Sequence, residues 1–292
     1  MPNRSDRSER ATTSGEGEMH EQTAVVDGIP MRWLEDGHEE GTPVVLVHGI
    51  PTSPELWRHV MPRLDEARCL AWEMLGYGTS IPQGQNRDIS VSRQADYLDA
   101  WLQHLGIERA VLVGHDLGGG VVQILATRHR SRVAGIVLTN SICYESWPIL
   151  SVKAMQRGAP LLRLLPDTTV YPLFVSLQRR GHDNAQRANE SIGQHWSHYA
   201  AHGAARALVQ QVSALDVHDT MAVADQLSDL DVPARVIWGA ADGFQKLHYG
   251  QRLARDLNTR IQRIDNGRHF TPEDHPEQIA AATNELTRET AG

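Results

Sequence analysis

Two cysteines, Cys69 and Cys143, are too few for a disulfide framework, and both fall in or just after strand-like runs, so they read as buried free thiols. No apolar stretch reaches the roughly 20 residues that a membrane span needs, so no membrane partner is expected. Basic clusters are missing too. Lys and Arg number 28 against 36 Asp and Glu, and the formal charge of −8 argues against a nucleic-acid surface. Residues 1–18 are rich in Arg, Ser, Glu and Gly and have no apolar core of the signal-peptide kind. They read as a disordered tail, which points to a cytoplasmic protein. No internal repeat appears.

What the chain does have is 292 residues, 40% hydrophobic and 22% charged, enough for one large α/β domain with an insertion. Its most informative stretch is Val111-Leu112-Val113-Gly114-His115-Asp116-Leu117-Gly118-Gly119-Gly120. The apolar run at 110–113 reads as a buried strand of a parallel sheet, and residues 121–130 read as a helix. Strand, Gly-x-Asp-x-Gly turn and helix form a nucleophile elbow in which aspartate stands where serine usually does. Asp116 then sits at the end of its strand beside the positive helix N-terminus, which favours the carboxylate that can attack an electrophile. Taken alone, the five residues could be an ordinary Asx turn.

Other segments alternate in the same way. Residues 23–26 and 31–35 suggest a hairpin around Asp27-Gly28, and 44–47 a buried strand ending in His48-Gly49-Ile50-Pro51. Residues 68–72 read as a strand, 92–105 as a helix and 133–139 as another strand. From 141 to 215 no strand-like run occurs, only helical segments. Alternation then resumes with a strand at 234–238, a helix ending near Leu257 and a strand at 260–264. The expected architecture is therefore one α/β core, residues 19–140 and 216–292, carrying a helical lid at 141–215.

Two further residues complete a pattern. Asp242, in Gly239-Ala240-Ala241-Asp242, and His269, in Asn266-Gly267-Arg268-His269, each follow an apolar strand. Singly they would be an ordinary loop aspartate and one of 15 histidines. In the order nucleophile, acid, histidine, each at a strand end, they read as a catalytic set.

On these residues the chain resembles the α/β-hydrolase superfamily over nearly all of 23–290. The aspartate nucleophile and the His-Gly-x-Pro loop resemble the epoxide hydrolases and haloalkane dehalogenases. The resemblance implies a mostly parallel sheet with helices on both faces and a helical lid. It implies attack by Asp116 on a saturated carbon, an alkyl-enzyme ester, and its hydrolysis by water that His269, oriented by Asp242, activates. The backbone N–H groups of Ile50 and Leu117 would hold the oxyanion, each worth about 3 to 4 kcal/mol. Neither a cofactor nor a metal is called for, the partner is a small-molecule substrate, and the state is a monomer or homodimer.

The chain departs from that family at the leaving group. Haloalkane dehalogenases carry a halide-binding tryptophan directly after the nucleophile, and many carry an asparagine after His-Gly; here those places hold Leu117 and Ile50. Epoxide hydrolases use lid tyrosines as acids. Candidate pocket residues here are His48, His115, Trp147, Tyr171, Trp196 and Tyr199, with Tyr199 the first choice of donor and Tyr171 the second. The missing tryptophan favours an epoxide, with a haloalkane as the alternative. A ligand receptor on the same fold, or Asp116 acting as a base, are the other classes left open.

Overall fold

Residues 19–291 are described by the computed structural model, so the tail expected at 1–18 lies outside the described residues. Eight strands form one sheet: β1 (His20–Val26), β2 (Ile29–Gly37), β3 (Thr42–Val47), β4 (Ala67–Trp72), β5 (Ala110–His115), β6 (Val133–Thr139), β7 (Ala234–Gly239) and β8 (Ile261–Ile264). Their spatial order is β1-β2-β4-β3-β5-β6-β7-β8. The hairpin β1–β2 is antiparallel and β2 runs antiparallel to β4, while β4 to β8 pair in parallel.

The central strands read as unbroken apolar runs because both faces of the sheet are covered. Side chains alternate along β3: Val45 and Val47 enter one core with helices α1 (Val91–His104) and α2 (Leu117–Arg128), and Val44 and Leu46 enter the other. Between β6 and β7, which are neighbours in the sheet, the chain leaves it through α3 (Leu150–Leu162), α4 (Asp167–Gly181), α5 (Ala185–His202) and α6 (Ala204–Ser213). The short α7 (His218–Met221) follows, then α8 (Leu247–Asp256) between β7 and β8, and α9 (Thr271–Asp274) and α10 (Pro276–Thr290) close the chain. Helix α10 covers the second face of the sheet through Ile279 and Leu286. Cys69 and Cys143 are buried free thiols.

One boundary differs from the sequence reading. Helix α2 begins at Leu117 rather than at residue 121, so Asp116 itself is the residue that precedes the helix. The glycines at 118–120, read as turn, are helical because they pack where no side chain fits. A Cβ on Gly118 would lie 2.1 Å from the Val47 carbonyl oxygen. Helix α2 therefore rests directly on the end of β3.

Asp116 adopts φ +50° and ψ −119°, a region that costs a residue with a Cβ about 1 to 3 kcal/mol. Neighbours fix it there. The Asp116 carbonyl accepts from the N–H of Gly119 and of Ile142, both at 3.1 Å. Gln123 donates through Nε2 to the Gly119 carbonyl (2.9 Å) and the Ile142 carbonyl (2.8 Å), clamping the two sides of the turn together.

Two glycine substitutions should therefore act in opposite directions. Gly118→Ala should cost about 3 kcal/mol, the upper end of overpacking, because its Cβ meets backbone rather than a mobile side chain. Gly193→Ala in α5, where an added Cβ meets nothing within 4 Å, should stabilise by roughly 0.5 to 1 kcal/mol. Urea unfolding of the two variants checks both signs.

Candidate active site

Strands β3, β5, β6 and β7 are adjacent and parallel, so their carboxyl ends open along one edge of the sheet. Asp116 follows β5, Asp242 follows β7 and His269 follows β8, and the structure brings the three together. His269 Nδ1 lies 2.9 Å from Asp242 Oδ2, and His269 Nε2 lies 3.7 Å from Asp116 Oδ1. With Nδ1–H donating to Asp242, the Nε2 lone pair faces Asp116 without a hydrogen bond to it, free to take a proton.

Asp116 Oδ2 accepts from the N–H of Ile50 at 3.0 Å, and the N–H of Leu117 lies close enough to this carboxylate to favour its charge. The first contact depends on Gly49, where a Cβ would lie 2.4 Å from the Cβ of Asp116. A substituted residue there would push the loop back and lift Ile50 off the carboxylate.

Burial splits the two carboxylates. It raises Asp116 above the ordinary aspartate range, more than His269 and the Ile50 and Leu117 N–H groups lower it. Asp242 is buried too, but His269, the Asn140 amide and the Phe244 N–H more than reverse that and hold it below its usual range. Those contacts are short: Asn140 Nδ2 donates to Asp242 Oδ2 at 2.6 Å and Phe244 N–H to Oδ1 at 2.6 Å. For His269 burial alone would lower the pKa; Asp242 first and Asp116 second outweigh it, and the net direction is upward.

A cavity of about 90 Å³ opens over Asp116, Leu117 and His269, several times the roughly 15 Å³ that one water needs. Its walls are apolar: Ile142 and Ile149 below the insertion, Val152 and Met155 from α3, Leu208 and Val212 from α6. Trp147 also lines it, but its indole N–H donates to Thr220 Oγ1 at 2.7 Å and is not free for a ligand.

The other expected pocket residues are elsewhere. His48 is fully buried, with Nδ1 on the Gly49 carbonyl (3.0 Å) and Nε2 accepting from the Met74 N–H (3.1 Å); burial pulls it to about 3, so it is a neutral brace between two loops. His115 points beneath the site, where Nε2 donates to the His269 carbonyl at 2.9 Å. Burial and His269 hold it neutral as well, at about 3. Tyr171 is 41% exposed and stacks on Trp196, which packs in turn on Phe174 and Tyr199. The Tyr199 hydroxyl, buried in that cluster, donates to Gln211 Oε1 at 2.6 Å, while Gln211 Nε2 holds the Gly76 carbonyl. None of these five lines the cavity.

Three functional positions escape the sequence reading. Asn140, directly after β6, ties Asp242 to the Gly239 N–H. Gln123 clamps the elbow, and Gln245 lines the cavity. Only Asn140 carried a signal, its place at a strand end on the same sheet edge.

Known proteins agree with this architecture. The chain is 26% identical over 276 residues to cis-3-alkyl-4-alkyloxetan-2-one decarboxylase of Xanthomonas campestris, covering 87% of this chain and 91% of that one. It is 28% identical over 284 residues to haloalkane dehalogenase 2 of Mycobacterium tuberculosis, covering 86% and 92%. The solved haloalkane dehalogenase DbeA of Bradyrhizobium elkani superposes with a TM-score of 0.76 at 22% identity, over 94% of this chain and 99% of that one. A family profile described as the alpha/beta hydrolase fold matches residues 42–276, so the chain belongs to the α/β-hydrolase fold family and is an enzyme of that fold.

Proposed function

We propose that the protein is a hydrolase in which Asp116 attacks a saturated carbon of a small apolar electrophile. The alkyl ester that results is hydrolysed by a water that His269, held by Asp242, deprotonates, and the N–H groups of Ile50 and Leu117 bear the oxyanion. The leaving group departs as a stable anion, as a halide does, or as the ring-opened carboxylate of a strained lactone does; the Xanthomonas relative is named for an oxetanone, a lactone of that kind.

One observation carries the choice of leaving group. Among the described residues lining the cavity, the only ionisable side chains are Asp116 and His269, and tyrosine is not among them. An opening epoxide becomes an alkoxide that needs an acid as it forms, whereas a halide or carboxylate needs only its charge met. With the Tyr199 hydroxyl spent on Gln211 and Tyr171 at the surface, neither tyrosine offers an opening epoxide its acid, and this outweighs the absence of a tryptophan at Leu117 that favoured an epoxide.

Covalent catalysis is tested first. Asp116→Ala should abolish turnover, and His269→Gln should stall after alkylation, leaving a protein heavier by the substrate-derived group. After one turnover in heavy-oxygen water, the label should be in the peptide holding Asp116 and the product oxygen should be light. Label only in the product overturns the reading.

The pH profile follows from the direction of the His269 shift. His269 must be neutral to accept a proton, so the ester-hydrolysis rate should rise with pH through its pKa. In the free enzyme that pKa lies above the ordinary histidine value of about 6.5, and because esterified Asp116 has lost its charge the limb for the ester should fall below the free enzyme's. Asp242→Asn removes the largest upward influence, so its residual activity should rise at lower pH than the parent's. Presteady-state decay of the ester across pH reads both.

Matched substrates test the leaving group. A bromoalkane should be turned over with higher kcat/KM than an epoxide of the same size, and Tyr199→Phe should change neither by more than about twofold, since that hydroxyl lies outside the cavity. Diol formation that outpaces bromide release and falls in Tyr199→Phe would restore the tyrosine route.

A further inference from the structure

We infer that Gln245 is the group that receives the leaving atom: its side-chain amide meets the negative charge that departs from the carbon attacked by Asp116. The inference rests on the reading of Asp116 as nucleophile and adds the residue that completes it.

Gln245 lines the cavity together with Asp116 and His269 and is only 3% exposed. Its backbone is fixed on both sides. The Trp238 indole N–H donates to the Gln245 carbonyl at 3.0 Å, and the N–H of the preceding Phe244 is held by Asp242. Its side chain is another matter: Nε2, which carries the two N–H donors, bonds to none of the described residues and is not closed off by them, and Oε1 is buried without a partner as well.

Every other polar side chain on the cavity wall is engaged. Asp116 accepts from the Ile50 N–H, His269 is held through Nδ1 by Asp242, and the Trp147 indole donates to Thr220. An unengaged amide on an otherwise apolar wall is suited to a ligand with an alkyl body and one polar atom. In the chemical step, a lone pair of the Asp116 carboxylate forms the new carbon–oxygen bond as the bond from carbon to the leaving atom breaks. The electron pair of that bond leaves with the atom, and an amide N–H of Gln245 donates to the resulting anion. No proton is transferred. A glutamine amide is too weak an acid to protonate an alkoxide, and so this assignment agrees with a stable-anion leaving group.

The experiment uses His269→Gln protein, in which the ester accumulates, and measures its alkylation rate by intact mass with matched chloro-, bromo- and iodoalkanes. Adding Gln245→Leu should slow alkylation about 100-fold with the chloroalkane, the scale of one lost donor to developing charge. The loss should shrink from chloride to iodide, because the poorer leaving group needs the donor most. Gln245→Met should behave alike, and thermal unfolding should show neither variant less stable than its parent, since an unsatisfied amide has been removed. An equal loss with all three halides accompanied by a lower Tm makes Gln245 structural and overturns the assignment. Alkylation unchanged by Gln245→Leu overturns it too, while leaving Asp116 as the nucleophile. No ester with any of the three halides in the parent removes the underlying reading along with it.

Discussion

The site depends on one backbone conformation, Asp116 at φ +50° and ψ −119°. That turn projects the carboxylate from the end of β5 into the cavity instead of along the strand or into the helix. It is strained, and close packing at two places keeps it from relaxing. Gly118 lets α2 sit on the end of β3, and Gly49 lets the loop after β3 come within reach of the carboxylate. The same close approach delivers the Ile50 N–H to Oδ2. Strain and hydrogen bonding of Asp116 are thus one arrangement: a loop that backed away to ease the turn would also strip the carboxylate of a donor.

A second asymmetry divides the work between two aspartates around one imidazole. Asp242 accepts from the His269 ring, the Asn140 amide and the Phe244 N–H, and sits below its usual range. Asp116, with fewer donors to offset its burial, sits above it. Environments that push like groups apart are how one chemistry yields two roles. In the proposed mechanism the carboxylate with more hydrogen bonds orients the ring, and the one with fewer is the nucleophile.

This division explains what the sequence could and could not reveal. Asp116, Asp242 and His269 were legible because each follows an apolar strand, and parallel strands carry their ends to one edge whatever the loops do. His115 was misleading for an equally simple reason. His115 is the last residue of β5 while Asp116 has already left the strand in a positive-φ turn, so the two side chains part, and His115 is spent on the His269 carbonyl. Tyr199 and Trp196 lie on α5, and which way a helix face turns is decided by what packs on it. Here the Phe174 ring of α4 and the Gln211 amide of α6 claim that face. Asn140 and Gln245 matter only through partners 102 residues away or through a cavity wall, and no local pattern encodes either.

The helical insertion and the core are not independent parts. The carbonyl of Gly181, the last residue of α4, accepts from the N–H groups of both His269 and Phe270. One residue on, His182 stacks on the Phe270 ring and bonds to Asp274, with Glu273 beside it. Burial works against its charge, yet those two carboxylates carry it up to about 9, so at neutral pH an imidazolium fastens the end of α4 to the His269 loop. Helices α3 and α6 also line the cavity, but their described hydrogen bonds go to other segments. A change of shape in α3 or α6 therefore alters what fits above Asp116 and leaves the base in place. A shift of α4 moves Leu177 in the cavity wall and pulls on His269 in the same motion. The shape of the cavity and the position of His269 are thus coupled through one helix end.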